Sequence, residues 1–455
     1  MSTPVASPPL AAPTTGQLQR ILRVRDGLAV TVGIVIGAGI LGGPGLIAGY
    51  LGNTWIILGV WLLGGVMAAL STLVLAEMAA ALPLAGGKYV YAREAYGPVM
   101  GFVAGWSEVF VTRGFSGAAK AVLIATYLVS IMGLGSVKAI SAGVILAYVG
   151  INLAGLRAGK TFQNVTTVIK VLVLLAIAAA GILAGDAASF GAAAGAAAPG
   201  AAAGGGVLLA FALSYQNVSF AYYGWEDASK LAGETRDPGR SMPRILLGGA
   251  AAVAVLYLLM NVAFLSALTP AEMAGSELVA RDAIAAAFGD RAGTLVVVAS
   301  LLILISSLNV NFMGLPRVAF GLARDGLAPR VFTRVSERGT PVPGLLFIST
   351  VIMVLTLSGT FEDLIRFMML VAITVDTMVL SAVLRLRKTR PDLARPFKVP
   401  GYPWIPVLTL VLNGVLLAVI VITQPVLASG AGAMLGVLLV AGVVTAAVQR
   451  RRRAA

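Results

Sequence analysis

The sequence of 455 residues contains no cysteine and no histidine. Without thiols the chain can form neither a disulfide nor a soft metal site, and without imidazole it lacks the side chain most used in acid–base catalysis. Charged residues are also scarce, at 11% of the chain, and acidic residues number only 19. An enzyme built from these residues would need paired acids or a serine–lysine dyad, and no loop of the sequence presents one. No Gly-rich phosphate loop of the ATPase kind occurs either. We therefore expect neither an enzyme nor a bound cofactor or metal ion.

Apolar residues, by contrast, make up 58% of the chain, and the mean hydropathy is +0.94. Most residues must then face lipid or a core buried within a membrane. Runs of about 20 apolar residues are long enough to cross a bilayer as α-helices. The sequence therefore predicts an all-α integral membrane protein embedded in the lipid bilayer, with twelve transmembrane spans near residues 27–50, 55–80, 99–131, 139–156, 163–185, 206–231, 244–268, 292–318, 342–360, 362–386, 404–424 and 429–449.

Most of the 33 lysine and arginine residues lie before span one, after each even-numbered span or after span twelve. The loops on the opposite side hold only Lys138, Arg281 and Arg291. Because basic residues near span ends stay in the cytoplasm, we predict a multi-pass protein of the cell (plasma) membrane with both termini cytoplasmic. The net charge of +14 is thus a topology signal, and we expect no nucleic-acid partner.

Span one is interrupted near its middle. The stretch from Ile36 to Pro44 contains four glycines and ends in a proline, which has no backbone N–H. Unwound backbone survives at membrane depth only where it is buried in protein or lines a cavity, because each unpaired group facing lipid costs several kcal/mol. The sequence therefore predicts a broken helix at the place where a polar solute binds.

A second candidate break, Ser219–Trp225, lies five helices later in span six. Paired broken helices in two halves are typical of an inverted repeat that holds its solute near the membrane midplane. The helix after each break offers N–H groups to an anion, and the helix before it offers carbonyl groups to a cation. An amino acid carries both charges on one carbon and fits this arrangement.

Close helix packing is the alternative explanation for these glycines. Gly33 and Gly37, and again Gly39 and Gly43, have the four-residue spacing typical of membrane helices that approach closely. For span one alone, packing is the favoured interpretation, and the matching break in span six shifts the balance toward binding. The two adjacent tyrosines of span six could still serve helix packing.

Several motifs resemble those of the amino acid-polyamine-organocation superfamily of transporters. They are the Ile-Gly-Ala-Gly-Ile run at 36–40, Phe-Ala-Tyr-Tyr-Gly-Trp at 220–225, and the segments 233–244, 86–98, 323–329 and 395–403. Their order over residues 20–425 is most similar to the L-type amino acid transporter branch and its bacterial relatives. The resemblance implies a five-plus-five inverted repeat with discontinuous helices one and six, and with spans eleven and twelve peripheral.

This architecture divides the chain into five parts. Residues 1–19, rich in Ala, Pro, Ser and Thr, are expected to form a disordered cytoplasmic tail, and the Ala- and Gly-rich residues 186–205 an outer loop. The first five-helix repeat is expected at 20–185 and the second at 206–388. Residues 389–455 then hold the peripheral helices and a basic C-terminal tail.

The resemblance also implies a binding site. Members of the superfamily bind the substrate carboxylate through amides of the span-one break, and the ammonium through carbonyls of both breaks. Here Ala38 stands where a serine is frequent, and Tyr223 where a smaller or acidic residue is frequent. The candidate substrate-binding residues are Ile36, Gly37, Ala38, Gly39, Ile40, Phe220, Ala221, Tyr222, Tyr223, Gly224 and Asn309.

Lys170 lies inside span five. A lysine at the membrane centre costs about 2.5–3.5 kcal/mol, so its ammonium should face the bundle interior; the alternative is a side chain that snorkels to the membrane surface. In bacterial relatives with Phe162-Gln163-Asn164 before such a lysine, the ammonium is thought to occupy the place of a sodium ion. The resemblance thus implies sodium-independent transport, with Lys170 bridging spans one, five and eight. Lys170 could also carry a proton.

Span three contains two further cations, Arg113 and Lys120, which are seven residues apart and share a helix face. They either neutralise Glu77 or Glu108 or line the permeation path, and the sequence does not decide between these roles. The acids after the span-six break either attract cationic substrates or organise a gate. Together with Lys170, the candidate coupling and gating residues are Arg113, Glu226 and Asp227.

We therefore predict a secondary transporter of amino acids that works by alternating access, without sodium and with a preference for neutral L-amino acids. The alternatives are a cationic amino acid or polyamine antiporter or proton symporter and, from another class, an amino-acid sensor built on a transporter fold. Animal L-type transporters pair with a heavy chain through a disulfide, which this cysteine-free chain cannot form. We expect a monomer or a weak homo-oligomer.

Overall fold

A computed structural model of the chain describes residues 20, 22–84, 86–133, 135–154, 159–185, 206–336 and 340–454. In this part of the chain the regular elements are helices, and the one β-contact is an isolated parallel bridge between Leu22 and Thr235. Eight of the described helices are long and apolar enough to cross a bilayer, and a bent pair at the start of the chain makes a ninth span. The predicted class, an all-α integral membrane protein, is confirmed.

The helices follow the twelve predicted spans in order. Spans four and nine are shorter apolar helices than the others, and span six is a helix of 17 residues that ends at the second break. Their bounds are Val24–Val35 with Ala38–Leu51 for span one, Thr54–Ala81 for span two, Pro98–Ser107, Glu108–Arg113 and Gly114–Met132 for span three, Val137–Ala154 for span four, Gly159–Ala184 for span five, Gly206–Tyr222 for span six, Pro238–Ala267 for span seven, Asp290–Arg324 for span eight, Val342–Ser358 for span nine, Phe361–Thr389 for span ten, Trp404–Thr423 for span eleven and Pro425–Ala454 for span twelve.

Short helices connect some of the spans. Lys88–Tyr96 precedes span three, Pro270–Ala274 and Val279–Phe288 join spans seven and eight, and the 3₁₀ helices Asp227–Glu234 and Arg330–Thr333 follow spans six and eight.

Local chemistry sets the tight turn between spans one and two. Gly52 ends span one in the left-handed region, at φ 61°, where a residue with a side chain would be strained. Asn53 then caps the helix of span two, because its side-chain oxygen accepts hydrogen bonds from the amide of Trp55 at 3.0 Å and from that of Ile56 at 3.2 Å. Two residues are therefore enough to reverse the chain.

Helices in corresponding places of the two halves pack on each other. The second helix of span one packs on span six, span two on span seven, span three on span eight, and span four on span nine. The contacts between non-equivalent spans also match, since span one packs on span five as span six packs on span ten. This pattern is the one that an inverted repeat with a pseudo-two-fold axis produces.

Spans eleven and twelve lie at the edge of the bundle. Only 28% and 22% of their apolar stretches are buried inside the protein, compared with 67% for span ten. The division into repeats at 20–185 and 206–388, with 389–455 outside them, stays a prediction. The expected tail at 1–19 and loop at 186–205 lie outside the described residues.

One face of the bundle, which we call the terminal face, carries both ends of the described chain. There the backbone of Leu22 bonds to Glu234 and Arg236, at 3.0 and 2.9 Å, and Gln449 of span twelve bonds to the carbonyl of Gly326. The described segments around Arg236 and Gly326, which belong to predicted cytoplasmic loops, lie at this face, and its orientation in the membrane stays a prediction.

Candidate functional site

The first predicted break lies at Ile36 and Gly37. The helix Val24–Val35 ends there, Gly37 is extended at φ −167° and ψ −141°, and the helix Ala38–Leu51 continues at an angle of 40°. Pro44, at the far end of the glycine-rich stretch, lies within the second helix. The discontinuity in span one is confirmed and confined to two residues.

The carbonyl groups that the break exposes are held by side chains from other spans. Lys170 of span five donates from Nζ to Gly33 at 3.1 Å and lies 3.5 Å from the oxygen of Ile36. The hydroxyl of Tyr257, in span seven, donates to Val35 at 2.9 Å. Because unpaired carbonyl groups are costly inside a membrane, these contacts fix the shape of the break before any ligand arrives.

Lys170 is only 1% exposed, so it does not snorkel to the membrane surface. Its ammonium ties span five to span one, as expected. The link to span eight runs through a neighbour instead, since Ser306 donates to Thr166 of span five at 2.9 Å.

The amide groups after the break have no side-chain cap. Gly37 occupies the N-cap position of Ala38–Leu51 and has no side chain to offer the first amides of that helix. The first four N–H groups of an α-helix lack partners within the helix, and they carry the positive end of its dipole. This helix start can therefore bind an anion such as a carboxylate.

A narrow cavity opens onto this helix start, between spans one, three and six. It brings together six of the predicted residues, namely Gly37, Ala38, Gly39, Phe220, Tyr223 and Arg113. The cavity is lined by Ile34, Val35, Gly37, Ala38, Gly39, Thr112, Arg113, Ser116, Lys120, Phe220 and Tyr223.

Other candidates lie outside this lining. Tyr222 points toward spans two and seven, where its ring packs against Tyr257 at 5.3 Å and its hydroxyl donates to Trp61 at 3.2 Å. Ala221 faces Gly39 so closely that a Cβ on that glycine would lie 2.7 Å from the Cβ of Ala221. The structure thus assigns packing contacts to both Tyr222 and Ala221. The remaining candidates outside the lining are Ile36, Ile40, Gly224 and Asn309.

The break in span six begins later than predicted. The helix continues through Ser219 to Tyr222, and the turn follows at Tyr223–Glu226 before the 3₁₀ helix Asp227–Glu234. Gly224 adopts φ 114°, a value that favours glycine. The four residues before the turn, Ser219 to Tyr222, include neither glycine nor proline and continue the helix. The prediction that the interruption starts at Ser219 is therefore wrong by four residues.

Lys88 links the second break to neighbouring helices at the terminal face. Its ammonium contacts the hydroxyl of Tyr223 at 2.6 Å, Asp376 at 2.7 Å and Glu226 at 3.2 Å, and the residue is only 2% exposed. Burial alone would lower the pKa of Lys88, but the two carboxylates outweigh it and hold that pKa well above its ordinary value. The lysine therefore stays charged and joins the helix Lys88–Tyr96 to spans six and ten.

A second ionic cluster adjoins the first. Arg113 pairs with Glu108 and Asp227, and Lys230 pairs with the same two acids. Glu108–Arg113 is a π-helical turn, an irregularity that is frequent at functional sites. Arg113 thus both pairs with Glu108 and lines the cavity, and its role in coupling or gating stays a prediction.

Glu77, the alternative partner considered for these cations, is neutralised by basic residues of span ten and the following loop. Arg387 donates to Glu77 at 2.6 Å, and the amide of Val399 donates at 2.8 Å.

Sequence reasoning missed Lys88 and Asp376 as site residues. In the sequence, Lys88 belongs to the basic residues that predict topology and to the motif at 86–98, and the adjacent Gly86 and Gly87, which adopt φ 129° and 59°, are the local signal of a special turn. Asp376 lies 288 residues from Lys88, so no local pattern could pair them.

Comparison with known proteins agrees with this architecture. The family described as amino acid permease matches residues 24–446. The chain belongs to this family. The b(0,+)-type amino acid transporter 1 of Mus musculus is 27% identical over 377 residues, which cover 80% of this chain and 75% of the mouse protein. The serine/threonine exchanger SteT of Bacillus subtilis (strain 168) is 27% identical over 368 residues, 79% of this chain and 82% of its own length.

The large neutral amino acids transporter small subunit 2 of Mus musculus is also similar, at 26% identity over 361 residues, 76% of this chain and 66% of that protein. Family membership and these relatives confirm the predicted superfamily and the predicted class, a membrane transporter rather than an enzyme.

Proposed function

We propose that the chain is a secondary transporter that carries amino acids across the plasma membrane by alternating access, without sodium and with a preference for neutral side chains. The observation that carries this proposal is the uncapped start of Ala38–Leu51, which opens onto the cavity beside an extended Gly37. The amides there suit the α-carboxylate of a substrate. The terminal face is proposed to be cytoplasmic, because the basic loops lie on it.

Contacts above and below the cavity support alternating access. On the terminal side, Lys88 and Arg113 join the turn of span six to the surrounding helices. On the opposite side, the ring of Phe361 lies 6.1 Å from that of Phe220 in an edge-to-face contact. The same ring packs against Gly42 of span one. A substrate can leave only when one set of contacts opens, which is the requirement for coupled transport.

The position of Lys170 supports sodium independence. Its ammonium already holds the carbonyl oxygens of Gly33 and Ile36, the type of ligand that a sodium ion would use. A sodium ion at the same carbonyl groups would be repelled by the positive charge of the Lys170 ammonium.

The lining supports a neutral or zwitterionic substrate. Among the lining residues that the structure describes, there is no aspartate or glutamate, so the cavity offers no carboxylate to a cationic side chain. The proposal does not specify the coupling mode; exchange, proton symport and facilitated diffusion are the alternatives to be measured.

The test is uptake into proteoliposomes that hold unlabelled leucine, with labelled leucine outside. We expect labelled leucine to enter by exchange, and leucinamide to compete poorly because it lacks the carboxylate. Liposomes without protein are the control. Binding of leucine without any uptake would favour the rival function, an amino-acid sensor on a transporter fold, and absence of both binding and uptake for a panel of amino acids would refute the proposal.

A further inference from the structure

We infer that Lys120 is a charge filter in the cavity that excludes amino acids with a cationic side chain. The inference rests on the proposed function and narrows it, since it removes cationic amino acids and polyamines from the possible substrates. Its basis is the surroundings of one buried ammonium group.

Lys120 lies in the wall of the cavity, on span three, opposite the break in span one. It is 7% exposed, and its Cε would lie 3.9 Å from a Cβ placed on Gly37. Its Nζ lies 3.5 Å from the carbonyl oxygen of Ser307 in span eight, which is a long hydrogen bond. The ammonium therefore lies beside the place where a substrate bound at the helix start would extend.

The other buried cations near the cavity are compensated. Lys88 and Arg113 each contact two carboxylates, and Lys170 lies on two carbonyl oxygens of the break. Within the described residues, no carboxylate pairs with Lys120, and the other charged side chain of the cavity lining is the cation Arg113. A buried charge without a partner is expensive, so the protonated form of Lys120 is stabilised when a ligand brings an acceptor, such as its α-carboxylate, beside it.

A second unsatisfied group lies at the same place. The hydroxyl oxygen of Ser307 is buried without a hydrogen-bond partner in the described structure, and the residue is 1% exposed. This oxygen would lie 2.7 Å from a Cβ on Gly37, so it borders the same space as Lys120. Buried polar groups are nearly always paired, and the two groups together indicate a polar part of a ligand.

Electrostatics determines which charge the ligand group beside Lys120 can carry. A cationic side chain would be held beside an ammonium in a water-poor cavity, where like charges repel strongly. An apolar side chain carries no such penalty, and a side chain with an oxygen acceptor can bond to both Lys120 and Ser307. The filter therefore acts against one class of substrate without requiring another.

The experiment measures competition by lysine, arginine and ornithine against labelled leucine in proteoliposomes, for the parent and for Lys120→Met. The parent should be insensitive to the cationic competitors. Lys120→Met should gain at least about tenfold in apparent affinity for them relative to its own apparent affinity for leucine. Lys120→Arg, which keeps the charge, should exclude them as the parent does. Lys138→Met, which removes an exposed lysine outside the cavity, is the matched control.

Thermal stabilisation of the purified variants by each amino acid provides a readout that does not depend on transport. If Lys120→Met fails to fold, Lys120→Gln replaces it. Strong competition by lysine in the parent, or continued exclusion of lysine by a folded Lys120 variant that still takes up leucine, would overturn the inference. A parent that takes up and binds no amino acid at all would instead overturn the proposed function, and the inference with it.

Discussion

The two broken helices differ in what holds them. In span one the break covers two residues, its carbonyl groups are bound by Lys170 and Tyr257, and a regular helix resumes at once with open amides. In span six the turn Tyr223–Glu226 leads into a 3₁₀ helix, and the contacts are ion pairs with Lys88 and Arg113.

This difference suggests a division of labour between the breaks. Backbone groups held by neutral hydrogen bonds and one lysine keep a fixed shape, as a binding surface must. Ion pairs between separate helices can part and re-form when water enters, as a gate must. The substitutions predicted below each alter the contacts of one of the two breaks.

The largest effect is expected from Gly39→Val, which acts on the span-one break. The added side chain would collide with the backbone of Ala221, whose N atom lies 2.8 Å from the position of a Cβ on Gly39. Because backbone cannot rotate away, the two spans must separate, and the binding surface is lost. We expect no leucine binding and no uptake from a protein that remains monodisperse on size-exclusion chromatography.

Gly59→Val is the control, since a Cβ at Gly59 meets nothing within 4 Å. Retained leucine affinity in Gly39→Val would refute the assignment of this surface to the substrate.

Lys88→Met acts on the span-six break. It leaves Glu226 and Asp376 buried without their cation, and removing one partner of a buried pair costs about 3–5 kcal/mol. We expect a lower unfolding temperature and a terminal face that reacts more readily with water-soluble labels. Lys388→Met, at an exposed lysine of the same face, should change neither quantity.

The pH dependence of this cluster has a defined sign. The pKa of Lys88 is raised, so its stabilisation is fully present below the pKa of an unfolded lysine and is lost only as pH rises through the higher folded value. The difference in stability between the parent and Lys88→Met, measured by thermal unfolding, should therefore not decrease between about pH 6 and 8. A stability difference that vanishes within this range would show that a group other than Lys88 stabilises the cluster.

Lys170→Ala should have a smaller, kinetic effect. The substitution removes the donor for Gly33 and Ile36 but leaves the cavity lining unchanged. We expect the maximal uptake rate to fall about tenfold and the apparent affinity for leucine to change less, because the tie between spans five and one sets the balance of access states. If Lys170 also carries a proton, an inward pH gradient should drive accumulation in the parent and not in the variant. Unchanged rate and pH dependence would restrict Lys170 to a packing role.

The smallest effect is expected from the ions in the medium. Replacing sodium by choline or potassium should leave the uptake rate of the parent unchanged, since Lys170 already occupies carbonyl groups suited to a cation. An uptake that stops without sodium would mean that a sodium site exists elsewhere, for example near Ser306 and Ser307.

The sequence was sufficient for features that depend on local chemistry. Twelve apolar runs predicted the spans, glycine predicted the break at Ile36 and Gly37, and the cost of a charge in lipid predicted that Lys170 is buried. It was not sufficient where the partner is distant in the chain. The pairing of Lys88 with Asp376 and the uncompensated state of Lys120 depend on how span ten, span three and span eight meet, which no window of sequence contains.

The small β-bridge at the terminal face gives the molecule an internal reporter. The amides of Leu22 and Arg236 are bonded to Glu234 and Leu22, just after the 3₁₀ segment that follows the span-six turn. Any motion that pulls this segment away exposes both amides to deuterium exchange. Their protection therefore records, without a label or an engineered residue, the fraction of time that the segment spends docked, and a ligand that traps one access state should slow or speed their exchange accordingly.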